Sequence, residues 1–117
     1  MPRKTRENSR GDFLLGTLDM LILRSVFGAP AHGHTIAHVI EKSSSDILQV
    51  EHGSLYPALH RLEDRGFISG FWGTSESNRR ARYYRITPLG RRHLIAERSR
   101  WQSLVEGVSR VLGPATE

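Results

Sequence analysis

Residues 53–86 set a short helix directly against a strand–turn–strand, and few folds accommodate that order. The helical part reads Gly53-Ser54-Leu55-Tyr56-Pro57-Ala58-Leu59-His60-Arg61-Leu62-Glu63-Asp64-Arg65-Gly66. Leu55, Ala58, Leu59 and Leu62 recur at three- and four-residue intervals and form one apolar stripe. The opposite face carries Tyr56, Pro57, His60, Arg61 and Asp64. Ser54 is expected to cap this helix, Pro57 to occupy its first turn and Gly66 to take the left-handed position that ends it. The chain continues as FISGFWGT, SESNRR and ARYYRIT. Phe67, Ile68, Phe71 and Trp72, then Tyr83, Tyr84 and Ile86, have the aromatic and β-branched content of a packed hairpin. Its turn brings Arg79, Arg80 and Arg82 among small polar residues. A helix followed at once by a cationic hairpin is the order of a winged helix-turn-helix, whose helix enters the major groove while the turn lies along the neighbouring backbone.

The flanking segments extend this α+β reading. Residues 1–11 are polar, basic and aperiodic, the composition of a flexible arm, and Asp12 can cap a first helix over roughly 13–27. In FLLGTLDMLILRSVF, Leu14, Leu18 and Leu21 make one stripe, and Phe13, Met20, Leu23 and Phe27 another. A helix apolar nearly all round must be buried on two sides. In so small a domain the second side points to another subunit. After the Gly28-Ala29-Pro30 break, a second helix is expected from about His34 to Lys42, burying Ile36, Ala37, Val39 and Ile40. Ile47 to Val50 has the character of a short strand. Thr87-Pro88 opens a last helix, with Thr as N-cap and Pro in the first turn, running to about Leu112. Leu94, Trp101, Leu104, Val105, Val108, Val111 and Leu112 form a coiled-coil-like seam along it. About 24 residues of helix extend ~36 Å, longer than a small body covers. The expected organisation is therefore an arm (1–11), a winged-helix domain (12–87) and a C-terminal dimerisation helix (88–113).

Composition narrows the chemistry. A chain of 117 residues is one domain with one modest core. Seventeen Lys+Arg against twelve Asp+Glu gives a net charge of +5. The charge is uneven, with eight arginines and one acid, Glu97, between Arg79 and Arg100. Such a stretch calls for a polyanionic partner or a heavily solvated face. The absence of cysteine removes disulfides, thiolate nucleophiles and cysteine-ligated zinc. No apolar run of a signal peptide or membrane span is present, so the expectation is a soluble, cytoplasmic chain without membrane association.

On the third helix, Arg61 could fork onto guanine, His60 could donate to a base edge or phosphate, and Ser54 with the helix N–H groups suits a phosphate oxygen. Arg79, Arg80 and Arg82 could neutralise phosphates or reach into the minor groove. Alone, each feature also fits an ordinary surface helix or a solvated hairpin tip. His34 and His38 stand four residues apart with His32 nearby, a spacing that can hold zinc. No HExxH or suitably placed acid accompanies them, so no metal is expected. No nucleophile elbow, P-loop or dinucleotide-binding turn occurs, which argues against an enzyme and against a cofactor. The reading of a different class is a winged-helix protein-interaction module without sequence-specific DNA binding.

The residues also resemble a known family, the PadR-like transcriptional regulators, in particular the short group with a single C-terminal helix. The resemblance spans roughly residues 12–112. It rests on LLGTLDMLIL, HGHTIAHVI, GSLYPALHRLEDRGFI, ARYYRITPLG and the tryptophan-containing last helix. It implies a homodimeric winged-helix repressor of a palindromic double-stranded DNA operator. Tyr56, Pro57, His60 and Arg61 would lie on the recognition helix, and Arg79, Arg80 and Arg82 on the wing. The first and last helices would form the dimer interface, through Phe13, Leu14, Leu18, Leu94, Trp101, Leu104, Val105, Val108 and Leu112. Family members often release DNA when a small aromatic molecule binds near that interface, and Trp101 matches a tryptophan lining the pocket in some of them. One departure is His34, where an aromatic often follows the glycine that opens the second helix.

Overall fold

A computed structural model describes residues 16–115. The expected flexible arm, the Asp12 cap and the interface residues Phe13 and Leu14 lie outside the described residues. Helix α1 is described over residues 16–25, followed by β1 (Ala31–His32), α2 (Gly33–Ser43), α3 (His52–Asp64), β2 (Ile68–Thr74), β3 (Arg80–Ile86) and α4 (Pro88–Leu112). The three strands form an antiparallel sheet in the order β1-β3-β2. One core joins the helices to this sheet. Leu18, Ile22, Leu23 and Val26 of the α1 region meet Ile36 and Ile40 of α2, the Leu55–Leu62 stripe of α3, and Ile68, Tyr84 and Leu94.

Several local expectations are corrected. The segment from Ile47 to Val50 is not a strand. Its amides turn inward locally: Ile47 N donates to Ser44 O at 3.0 Å, Leu48 N to Ser44 Oγ at 3.0 Å, and Val50 N to Glu41 Oε2 at 2.9 Å. The short strand lies instead at Ala31–His32, where it borders β3 at Tyr83 and Tyr84. Helix α3 begins two residues before Ser54, because Glu51 O accepts from both Ser54 N and Leu55 N. Ser54 is therefore in the first turn rather than at the cap, and Pro57 falls inside the helix. Pro57 has no N–H for Gly53 O, so that carbonyl lacks its helical hydrogen bond on the outward face. Val39, expected in the core, is 36% exposed at the edge of α2.

The end of α3 fixes the direction of everything after it. Gly66 has φ of 80°, the left-handed conformation that reverses the chain into β2. Phe67 N then donates to Leu62 O, and Thr87 N to Phe67 O, binding both ends of the hairpin to the same corner. Thr87 Oγ1 donates to Gly66 O at 2.6 Å and accepts from Gly90 N at 3.0 Å, so one hydroxyl caps α4 and anchors it to the turn. A Cβ at Gly90 would overlap the Phe67 carbonyl oxygen. The helix can start here only because this position has no side chain.

Helix α4 leaves the body after its first turns. Gly90 and Leu94 are buried, whereas every residue from Arg98 to Leu112 is exposed. The molecule is accordingly elongated, with a longest extent of 51 Å and a radius of gyration of 16.0 Å. A compact chain of 100 residues would have a radius of gyration of about 13 Å. Among the described residues no helix is long and apolar enough to cross a membrane.

Helix propensity alone would make Gly90→Ala stabilising by up to about 1 kcal/mol. Contact with Phe67 reverses the sign: urea unfolding at fixed protein concentration should show a loss of about 1–3 kcal/mol, the usual cost of forcing an extra methyl into a packed site. A stability equal to or above wild type would contradict the packing of α4 on this corner.

Candidate nucleic-acid interface

The buried stripe of α3 dictates what the helix shows to solvent. With Leu55, Ala58, Leu59 and Leu62 facing inward at 0–1% exposure, Tyr56, Pro57 and His60 must point out. Tyr56 is held on two sides: His52 stacks on it at 5.9 Å, and its ring lies so close to Gly33 that a Cβ there would be 3.1 Å from Tyr56 Cε1 and the phenol oxygen. The glycine that opens α2 thus seats the tyrosine of α3. His32 caps α2 by accepting from Thr35 N at 3.3 Å and meets Tyr83 edge-on at 5.2 Å. His34 remains exposed beside it.

The wing is an ordered turn on a regular hairpin. Ser75 N donates to Arg79 O and Asn78 N to Ser75 O, with Asn78 in the left-handed region at φ 62°. Arg79 and Arg80 are exposed, and Arg80 packs over the Trp72 ring at 4.5 Å. Between the wing, the start of α2 and Tyr56 lies an open cleft of about 500 Å³. It is lined by His32, Gly33, His34, Tyr56, Ser75, Ser77, Arg79, Arg80, Ala81, Arg82 and Tyr84. Of the expected DNA contacts, Tyr56, Arg79, Arg80 and Arg82 meet at this cleft. Ser54, Pro57 and His60 lie on α3 outside it. Ser75 and Ser77 were not singled out from the sequence, where only their place in the basic turn pointed to them, and His34, weighed there as a metal ligand and as a departure from the family pattern, lines the same cleft.

Two of the arginines expected to contact DNA are committed within the chain. Arg61 does not project freely: its Nη2 donates to Asp19 Oδ1 on α1 at 2.9 Å, with both side chains partly buried. The position borders the buried stripe, so a long side chain can fold back onto α1. Arg82 likewise donates to Glu63 Oε2 on α3 at 2.8 Å. Among the described residues, neither Arg79 nor Arg80 has a carboxylate partner. Both stand at the end of the hairpin, with Glu76 in the same turn.

The expected interface residues also divide. Leu18 at 0% and Leu94 at 5% exposure belong to the chain's own core and cannot line a free seam. Trp101, Leu104, Val105, Val108 and Leu112 are exposed along α4, with Leu104 at 57% and Leu112 at 76%. Between α1 and α4 is a second cavity of about 540 Å³, lined by Gly16, Thr17, Met20, Glu97, Arg100, Trp101 and Leu104. Glu97 and Arg100 pair with each other at its rim. Among the described residues no cluster of histidines and acids suited to a metal occurs.

Comparison with known proteins places this geometry. The model of the transcriptional regulator PadR-like family matches residues 22–96. A transcriptional regulator from Clostridium thermocellum is 26% identical and superposes with a TM-score of 0.79, over 87% of this chain and 99% of its own. A PadR family transcriptional regulator from Eggerthella lenta is 30% identical, with a TM-score of 0.73 over 96% of each chain. Bacillus subtilis PadR, solved in complex with operator DNA, shares the fold at 22% identity and a TM-score of 0.61, over 68% of this chain and 44% of that one. With its helices, small antiparallel sheet, basic wing and long last helix, the chain belongs to the PadR-like family of transcriptional regulators.

Proposed function

We propose that this regulator binds DNA as a homodimer on a two-fold-symmetric operator and acts as a repressor, with a flat aromatic molecule as its releasing effector. The observation that carries the reading is that Tyr56 of the outward α3 face and Arg79 and Arg80 of the wing meet around one cleft. On this reading Tyr56, Pro57 and His60 meet base edges and the adjoining backbone, and Ser54 a phosphate. Arg79 and Arg80 neutralise phosphates. Arg61, held by Asp19, supports α3 rather than reading bases. The complex of Bacillus subtilis PadR with operator DNA supports the same mode for a chain of this fold.

The second subunit follows from the bare seam of α4. Trp101, Leu104, Val105, Val108, Val111 and Leu112 would expose a contiguous apolar patch of a size soluble monomers rarely tolerate. An isologous partner buries the same patch from both chains and sets two recognition helices about one DNA turn apart. The α1–α4 cavity adjoins that seam, and Trp101 offers an indole face on which a planar ring can stack.

Binding should be steeply salt-dependent. With six or more phosphates neutralised per dimer, log K against log salt should fall with a slope of about −5 or steeper. Arg79→Ala with Arg80→Ala should weaken all duplexes similarly and flatten that slope; an unchanged slope would remove the wing tip from the interface. Sedimentation combined with tryptophan fluorescence tests the dimer and its cavity together. Leu104→Arg with Val108→Arg should yield monomers that no longer hold the operator, and planar aromatics should quench wild-type emission more than that of Trp101→Phe. A dimeric arginine variant would overturn the interface, and equal quenching in the Trp101→Phe protein would overturn the effector site.

A further inference from the structure

We propose that Arg82 is a positioning residue rather than a DNA contact: with Glu63 it latches the wing to the recognition helix and fixes the angle between them. The inference rests on the DNA-binding reading above for its consequence, but the latch itself is a property of the free protein. In the β2–β3 register Ile68, Gly70 and Trp72 oppose Ile86, Tyr84 and Arg82. Side chains of alternate residues share a sheet face, so Arg82 points to the same side as buried Tyr84 and core-packed Ile86. It lies in the inner row of the hairpin.

The guanidinium is held from three directions. Its Nη2 donates to Glu63 Oε2 at 2.8 Å, reaching the last turn of α3. It lies flat against β2 where there is no side chain: a Cβ at Gly70 would stand 2.7–2.8 Å from Nη2, Cζ and Nε. The Trp72 ring lies 5.5 Å away. The Arg82 and Glu63 side chains are only 36% and 29% exposed, so the pair is less screened than a surface ion pair. Burial raises the Tyr84 phenol above its ordinary pKa, and the charge of Glu63 adds to that, while Arg82 opposes both through its charge and a hydrogen bond. The hydroxyl therefore stays neutral and belongs to the same cluster.

A wing held at one angle lets the helix and the hairpin tip meet a duplex together, with the ordering completed before binding. This leads to an outcome opposite to simple electrostatics. Removing an acid from a DNA-facing module should strengthen binding to any duplex. If Glu63 is half of a latch, Glu63→Gln should weaken the specific complex while leaving or strengthening the non-specific one.

The test uses the full chain, a duplex selected from random DNA and a scrambled duplex of equal length, followed by anisotropy across a salt series. Glu63→Gln and Arg82→Gln should each cut the preference for the selected duplex roughly tenfold, a coupling of ordinary size for a contacting pair. The double variant should be no worse than either single one, and Arg82→Gln should keep the wild-type salt slope. A second measurement needs no DNA. In a Trp101→Phe background Trp72 is the only tryptophan, and both substitutions should lower its anisotropy and increase acrylamide quenching in otherwise folded protein. Unchanged Trp72 signals would overturn the latch. Arg82→Gln flattening the slope, with Glu63→Gln strengthening both duplexes, would make Arg82 a phosphate contact instead. Wild-type protein that binds no DNA would defeat the functional reading, while Trp72 would still report on the latch.

Discussion

The burial of one face of α3 is the constraint on which the rest of this structure depends. Leu55, Leu59 and Leu62 are almost wholly removed from water, at roughly 1.5–3 kcal/mol each. They lock the helix in rotation between α1, α2 and the sheet. Rotating α3 by a third of a turn would expose these leucines and bury Tyr56 and His60. The outward face is thus decided by the inward one. The corner at Gly66 inherits the same orientation, because Phe67 and Thr87 hydrogen-bond back to it, and α4 starts on Phe67. The outward face of α3, the wing and the projecting helix are all referenced to one packed stripe.

Charge is partitioned on top of that frame. The basic residues of α3 and the wing are not equivalent, although composition makes them look so. Arg61 and Arg82 each end on a carboxylate of another element, where the positive charge is spent on holding α3 to α1 and the hairpin to α3. Arg79 and Arg80 form no ion pair among the described residues, at the end of a hairpin whose turn is held by Ser75 and Asn78. The internal pairs carry no net charge, so long-range attraction for a polyanion falls to arginines with no ion pair among the described residues, Arg79, Arg80 and Arg85 included. This division joins rigidity to electrostatic attraction without adding residues.

Much of this was legible in the sequence because it rests on strong local signals. The α3 stripe, the hairpin, Thr87-Pro88 and the left-handed Gly66 follow from periodicity, β-branched and aromatic content, capping chemistry and the freedom of glycine at positive φ. What escaped were features set by tertiary partners. The start of α3 at His52 depends on Glu51 and has no side-chain cap to announce it. Ile47 to Val50 has strand-like composition, but its amides are claimed by Ser44 and Glu41. Leu18 and Leu94 have the spacing of interface residues yet fill the chain's own core, since spacing gives a face and not what covers it. Arg82 carries the same charge as its neighbours in sequence, and only the burial of Tyr84, two residues on, shows that its row is the inner one.

The proposed two-fold arrangement on DNA rests on the exposed length of α4 and the outward face of α3. Enrichment from a random DNA pool with the full-length protein, followed by hydroxyl-radical footprinting of the winning sequence, addresses that most directly. The expected result is an inverted repeat with half-site centres about 10 base pairs apart, and backbone protection related by the same two-fold axis. A single asymmetric site, or protection without any enriched sequence, would contradict it.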